Sequence, residues 1–218
     1  MPDAAISTRE LIMTIVFPRE LPTSIGFRPA RFVLEESVAA SPSAGLMNYT
    51  ETTDPVWRID FTSVPLTDAE LPALEAWWKS LRGGLRAALV TQNVTCRPLA
   101  HSRPENASPA QDTGILNSIT NGNELAIGSV SSGLVLAAGD LLGLEKTGKR
   151  SLCRVTDVSG SGTSRTVTVE PSPRGYTDAG SLVRFERPML VMRPVPKSWS
   201  VTGDFDPVAS FSLVEAPQ

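Results

Sequence analysis

The segment from Asp54 to Val90, DPVWRIDFTSVPLTDAELPALEAWWKSLRGGLRAALV, constrains the fold more than any other part of the chain. It reads as a strand, one capped helix, a double-glycine stop and a second strand. Val56, Trp57, Ile59 and Phe61 form a β-branched and aromatic run with Arg58, Asp60 and Thr62 interleaved. Period two therefore puts Trp57, Ile59 and Phe61 on one face of the strand. Pro65 ends that strand, because proline cannot donate to a ladder. Thr67 fits a helix N-cap, with Glu70 closing a capping box and Leu66 and Leu71 placed as a hydrophobic staple. Leu71, Leu74, Trp78 and Leu81 recur at helical spacing and predict the buried stripe of a helix over 67–82. Glu75 and Lys79 make an i,i+4 pair on the other side, and Gly83 and Gly84 supply the left-handed stop. These residues point to a packing element, with no catalytic geometry among them.

The surroundings of that helix read as β structure. The 218 residues include 18 prolines and 16 glycines scattered along the chain, a pattern that favours short strands joined by turns. Expected strands are Leu11–Phe17, Arg31–Val38, Glu124–Val130, Gly133–Ala138, Leu141–Glu145, Ser151–Val158 and Arg165–Glu170. Ser181–Arg187, Met189–Arg193, Trp199–Val201 and Ser210–Val214 complete the set. Ala39–Gly45 (AASPSAG) reads as a loop, and Arg97–Thr113 as a polar, proline-bearing crossing linker or long loop that marks the best candidate boundary. The predicted architecture is mainly β: a β-sandwich or split-barrel domain with one flanking helix, plus a small inserted β-barrel or sandwich. Residues 1–100 and 188–218 are assigned to the first domain and 114–187 to the insertion.

Composition and motifs exclude most chemistry. A net charge of −3 without a basic run argues against a dedicated nucleic-acid or anionic-membrane binder. No apolar run approaches the ~20 residues that span a bilayer, and the N-terminus lacks the pattern of a signal peptide. Cys96 and Cys153 are expected as reduced thiols, although a disulfide stays open; the sequons at Asn93 and Asn106 are then chance matches. His101 is the only histidine and lies in a polar stretch with no nucleophile elbow to serve, so it reads as a solvated loop residue. One histidine and two separated cysteines make no transition-metal set. Asp204 and Asp206 read as turn formers, and Gly160-Ser161-Gly162 as a hairpin turn lacking the lysine and helix of a phosphate loop. Gly139-Asp140 is an ordinary turn. Glu124 and Glu145 could be imagined as a glycosidase pair only if their separation fits. Tyr176, Phe185 and Arg184 are too dispersed for a stacking nucleic-acid reader, and Trp199 and Tyr176 read as packed residues before sugar platforms. No catalytic, cofactor-binding or metal site and no cofactor is expected.

Three stretches carry a resemblance. WRIDFTSVPLTDAE leads into ALEAWWKSLRGG; LAAGDLLGLEK is followed by VTVEPSPRG, with a Pro-x-x-Arg-like element at Pro171–Arg174; and ERPMLVMRPVPKSWSVTGDFDPVASFSLVEA closes the chain. In this order they cover 77 of the 218 residues and resemble tailed-bacteriophage tail structural proteins, most similarly the distal tail (baseplate ring) group. The resemblance implies a non-enzymatic virion protein made in the bacterial cytoplasm. It also implies a ring homo-oligomer, hexameric in this group, contacting the tail tube protein, the tip or hub and receptor-binding proteins, with DNA passing through the lumen and no membrane insertion. Unpaired strand edges and the loops Ala39–Tyr49 and Arg97–Thr113 are the parts expected to reach a neighbouring subunit. Host-glycan binding by the inserted unit, or a tube or connector role, is the alternative.

Overall fold

The structure is a computed structural model and describes residues 15–43, 45–216 and 218. The chain is mainly β, with one helix longer than a single turn among the described residues. The first strands are β1 (Arg19–Glu20), β2 (Val33–Ser43), β3 (Leu46–Thr62) and β4 (Ala88–Val90), with α1 (Glu70–Ser80) between β3 and β4. Six more follow: β5 (Thr113–Thr120), β6 (Glu124–Gly128), β7 (Leu141–Lys146), β8 (Lys149–Ser159), β9 (Arg165–Glu170) and β10 (Leu182–Arg184). They close a barrel in the order β10-β5-β6-β9-β8-β7, with β7 returning to β10. The last strands, β11 (Leu190–Pro194), β12 (Ser200–Thr202) and β13 (Val208–Glu215), join the first four in a mixed sheet. Its order is β1-β4-β11-β13-β3-β2, with β12 beside β13. Among the described strands only the β1–β4 pair is parallel.

The sheet is held by the face that period two marked out. Trp57, Ile59 and Phe61 are all at most 1% exposed, and they meet Phe32, Leu213, Phe211 and the inner side of α1. The helix begins later than its capping signal. Thr67 lies outside α1, but the Glu70 carboxylate accepts from the Thr67 backbone N–H at 2.9 Å and from its hydroxyl at 2.8 Å. Those two bonds hold the Glu70 carboxyl below the usual carboxylate range. The reciprocal half of the box is absent because the Glu70 backbone N–H donates to the Thr67 carbonyl at 3.1 Å instead of to the Thr67 hydroxyl. The buried stripe is Leu74, Trp77 and Leu81, not the stripe through Trp78. Trp77 enters the core because its indole N–H reaches the Glu20 carbonyl at 2.7 Å. Trp78 is half-buried and stacks on Trp199, with ring centroids 5.4 Å apart. Gly83 and Gly84 take positive φ and end the helical run.

The barrel has its own core: Leu116, Leu125, Leu142, Cys153, Val167 and Val183 are fully enclosed. Gly114 fits there because a Cβ would come within 2.7 Å of Ile127 Cγ2. Leu141 and Leu152 instead turn outward and join the core of the sheet. Consecutive residues of β7 and β8 are therefore buried, where a barrel with a wet outer wall would show alternation.

Three expectations need correction. Ala39–Gly45 is not a loop: β2 runs on to Ser43 and pairs with β3 through Ser43↔Leu46, with Gly45 in the turn. Pro42 is tolerated because β2 is the edge of the sheet, where a missing donor costs no ladder partner. Gly133–Ala138 is not a strand. Its alternation is real, with Leu134 and Leu136 buried and Val135 exposed, but side chains satisfy its backbone instead of a neighbouring strand. The Arg165 guanidinium donates to the Leu134 carbonyl, His101 Nε2 accepts from Val135 N–H at 2.9 Å, and Asp140 accepts from Ala137 N–H at 2.8 Å. Arg97–Thr113 is not a free linker either. It forms short helical turns at Leu99–His101, Pro104–Asn106 and Ser108–Gln111, and Ala110 is buried with the barrel core. The strand expected at Leu11–Phe17 lies outside the described residues as far as residue 14, and Ile15–Phe17 is not in a strand. β5 was not anticipated by its sequence: Asn117 and Ser118 interrupt the apolar pattern at a register shift in the pairing with β6.

Candidate functional site

The outer half of the β2–β3 hairpin is the most unusual surface of the molecule. β13 pairs with β3 only from Arg58 to Thr62, so the hairpin leaves the sheet beyond that point. From Glu36 inward to the turn and back to Asp54, every residue whose burial is described is exposed. The eight residues from Glu36 to Ser43 extend about 25 Å at the usual rise. Register Val38↔Glu51, Ala40↔Tyr49 and Pro42↔Met47 sets those six side chains on one face, since directly opposed residues share a side. Ala39, Ser41, Leu46, Asn48 and Thr50 fall on the other. The ribbon is thus amphipathic along most of its length: the first face is apolar except for Glu51, with Met47 54% and Tyr49 69% exposed, and the second is small or polar except for Leu46 near the tip. Its charge is one-sided: residues 36–54 contain Glu36, Glu51 and Asp54 and no lysine or arginine.

The base of this arm is anchored where sheet and barrel meet. Arg174, on the loop after β9, donates through Nε and Nη2 to the Glu215 carboxylate at 2.9 and 2.8 Å and through Nη2 to the Pro55 carbonyl at 2.8 Å. Asp54 lies 3.5 Å away on its third nitrogen. Glu215 also accepts the Trp57 backbone N–H at 3.2 Å, so one buried carboxylate serves both partners. The hydrogen bonds to Glu215 raise the Arg174 pKa despite the opposing effect of burial. The Trp57 indole N–H donates to the Leu152 carbonyl at 2.7 Å, and the Arg154 guanidinium lies 5.7 Å from its ring centroid. A polar pocket of about 260 Å³ opens beside this lock, with Glu51, Asp54, Glu170 and Arg174 in its walls.

The other residues weighed from sequence are dispersed. His101 is buried, which corrects its reading as a solvated loop residue. Because Nε2 accepts the Val135 N–H, the proton sits on Nδ1 and is donated to the Asn106 carbonyl at 2.7 Å. Both ring nitrogens thus serve structure. Asp140 of the Gly-Asp turn is buried too, and its carboxylate takes the backbone N–H groups of Leu99 and Ala137. Glu124 and Glu145 sit on β6 and β7, separated by two strands whichever way the barrel is traced. Glu145 is engaged by Arg150 and Arg184. Trp199 is stacked in the aromatic cluster with Trp78 and Phe211, and the Tyr176 hydroxyl donates to the Arg150 carbonyl. Asp204 and Asp206 are exposed beside Phe205 in the β12–β13 turn. Cys153 is enclosed, and burial pushes its thiol up to about 12; both cysteines are free. Among the described residues no group of three or more His, Cys, Asp or Glu side chains is placed to hold a metal ion. No described helix is long and apolar enough to cross a membrane.

Sequence reasoning missed Arg165, whose buried guanidinium donates to the carbonyls of Gly162, Ser164 and Leu134 with no carboxylate partner among the described residues. It also missed the arm. The signal for the arm was present in LMNYTE, where apolar and polar residues alternate under good β formers. The class of protein defined by these features is a mainly β chain that joins a mixed sheet to a closed barrel and projects an amphipathic ribbon. No family model matches the chain, and no curated protein matches it either.

Proposed function

We propose that the chain is a non-enzymatic structural subunit of a bacteriophage tail, a distal-tail-type ring former that joins the tail tube to the tip and lets DNA pass. The observation that carries this reading is the arm. A two-stranded ribbon is marginal in water by itself, and an exposed apolar face on such a ribbon suits contact with another chain. The order of the resembling segments supplies the rest: strand and helix, then the Gly-Asp turn and Pro-x-x-Arg-like element, then the closing strands. Within that order Arg174 and Glu215, one from each of the last two stretches, meet in the lock at the base of the arm. The mild negative charge of the chain suits a lumen through which DNA slides without sticking.

The test is the assembly state of the purified full chain, read by sedimentation across a wide concentration range and by electron microscopy. Ring particles, hexameric by the resemblance, are expected. A monodisperse monomer at every concentration overturns the reading.

A further inference from the structure

We propose that the outer arm of one copy docks on the corner formed by β1 and the end of α1 on the next copy, an inference that rests on the ring-forming reading. The two surfaces are complementary in net charge. Residues 79–86 (KSLRGGLR) carry Lys79, Arg82 and Arg86 and no acidic residue, and β1 adds Arg19 against the exposed carboxylate of Glu20, so the corner is basic on balance, whereas the arm carries only carboxylates. All three cations are exposed, and none pairs with a carboxylate among the described residues. The arm holds Glu36 and Glu51 equally unpaired among the described residues, since its third carboxylate, Asp54, already faces Arg174.

The corner is also apolar where the arm is apolar. Leu85 is 78% exposed between Arg82 and Arg86, and Val16 is 75% exposed beside Phe17, over whose ring Arg86 lies. The corner is a fixed surface: Arg19 donates to Ser80 Oγ at 3.0 Å, and Trp77 donates to the Glu20 carbonyl. β1 and β2 are the two opposite ends of one sheet. Contact between them joins unlike surfaces of identical chains, which is the heterologous geometry that propagates from copy to copy and closes into a ring where the rotation between copies permits. An acidic ribbon meeting a basic corner also fixes register and direction, because the same ribbon against a second ribbon would oppose like charges.

The test is charge reversal in the full-length chain, read by sedimentation velocity with a thermal melt to confirm folding. Glu36→Lys with Glu51→Lys on the arm, and separately Lys79→Glu with Arg82→Glu on the corner, are each expected to weaken self-association by about tenfold or more. Combining all four changes in one chain is expected to restore it. Should either double variant fail to fold, mixing the remaining one with the wild-type chain reads the same complementarity: only one of the two possible joints between them carries matched charge, so the variant is expected to cap wild-type assemblies and shorten them. If the wild-type chain assembles but either reversal leaves assembly unchanged, or the fourfold variant does not recover it, the arm–corner contact is wrong while the ring reading stands. If the wild-type chain never assembles, the ring reading fails and this contact fails with it.

Discussion

The two halves of the β2–β3 hairpin share the same pair of strands and live in opposite environments. Near its base, Trp57, Ile59 and Phe61 are locked under α1 and against the barrel. Beyond Asp54 the same ladder continues, yet Met47 and Tyr49 stand in solvent. The inner half is stabilised by tertiary burial, the outer half only by its own cross-strand bonds and pairs. Those pairs include Ser37 and Thr52, whose hydroxyls meet at 2.6 Å where the register shifts. Cross-strand pairs contribute only a few tenths to 1 kcal/mol each. A chain that continues a regular ladder past the end of its own core has made a surface whose cover lies elsewhere, and the proposed partner is another copy.

Substitutions separate the halves. Trp57→Ala is expected to cost about 3–5 kcal/mol in chemical denaturation, because a fully buried indole, its bond to Leu152 and its contact with Arg154 are lost together. A cost under 1 kcal/mol would mean that the inner half is no better anchored than the outer. Glu215→Gln comes next, at about 3 kcal/mol, since it leaves the Arg174 guanidinium without its buried carboxylate partner; the same denaturation curve reads it. Trp78→Ala should cost about 2 kcal/mol, less than a core tryptophan, because its ring is half-exposed and stacked on Trp199. Tyr49→Ala is expected to shift the stability of the dilute monomer by less than about 0.5 kcal/mol and to weaken self-association. A large loss of monomer stability there would show that the arm is held by its own chain after all.

Much of the inner half was legible in the sequence. Alternation through Trp57, Ile59 and Phe61 names the buried face, and the Gly83-Gly84 stop ends the helix where expected. The choice between Trp77 and Trp78 was not legible. Both satisfy a helical period, and the bond from Trp77 to the Glu20 carbonyl depends on where β1 docks. The outer half was hidden for a different reason. Ser41, Pro42 and Ser43 carry the composition of a loop, and their strand geometry comes from the partner strand Leu46–Tyr49, not from local propensity. His101, Asp140 and Arg165 escaped for a third reason. Each satisfies backbone groups of a segment distant in sequence, so its role exists only once the barrel has closed.

Hydrogen exchange of the backbone amides, measured on the dilute chain and again at the highest concentration that stays in solution, reads both halves of the hairpin in one experiment. The amides of Ile59 and Phe61 are expected to be strongly protected in both samples. Those from Ser37 to Thr53 are expected to exchange rapidly when dilute and to gain protection on concentration. Fast exchange of the arm that does not change with concentration, or protection equal to that of the inner half in the dilute chain, would contradict the claim that this surface is completed by another copy.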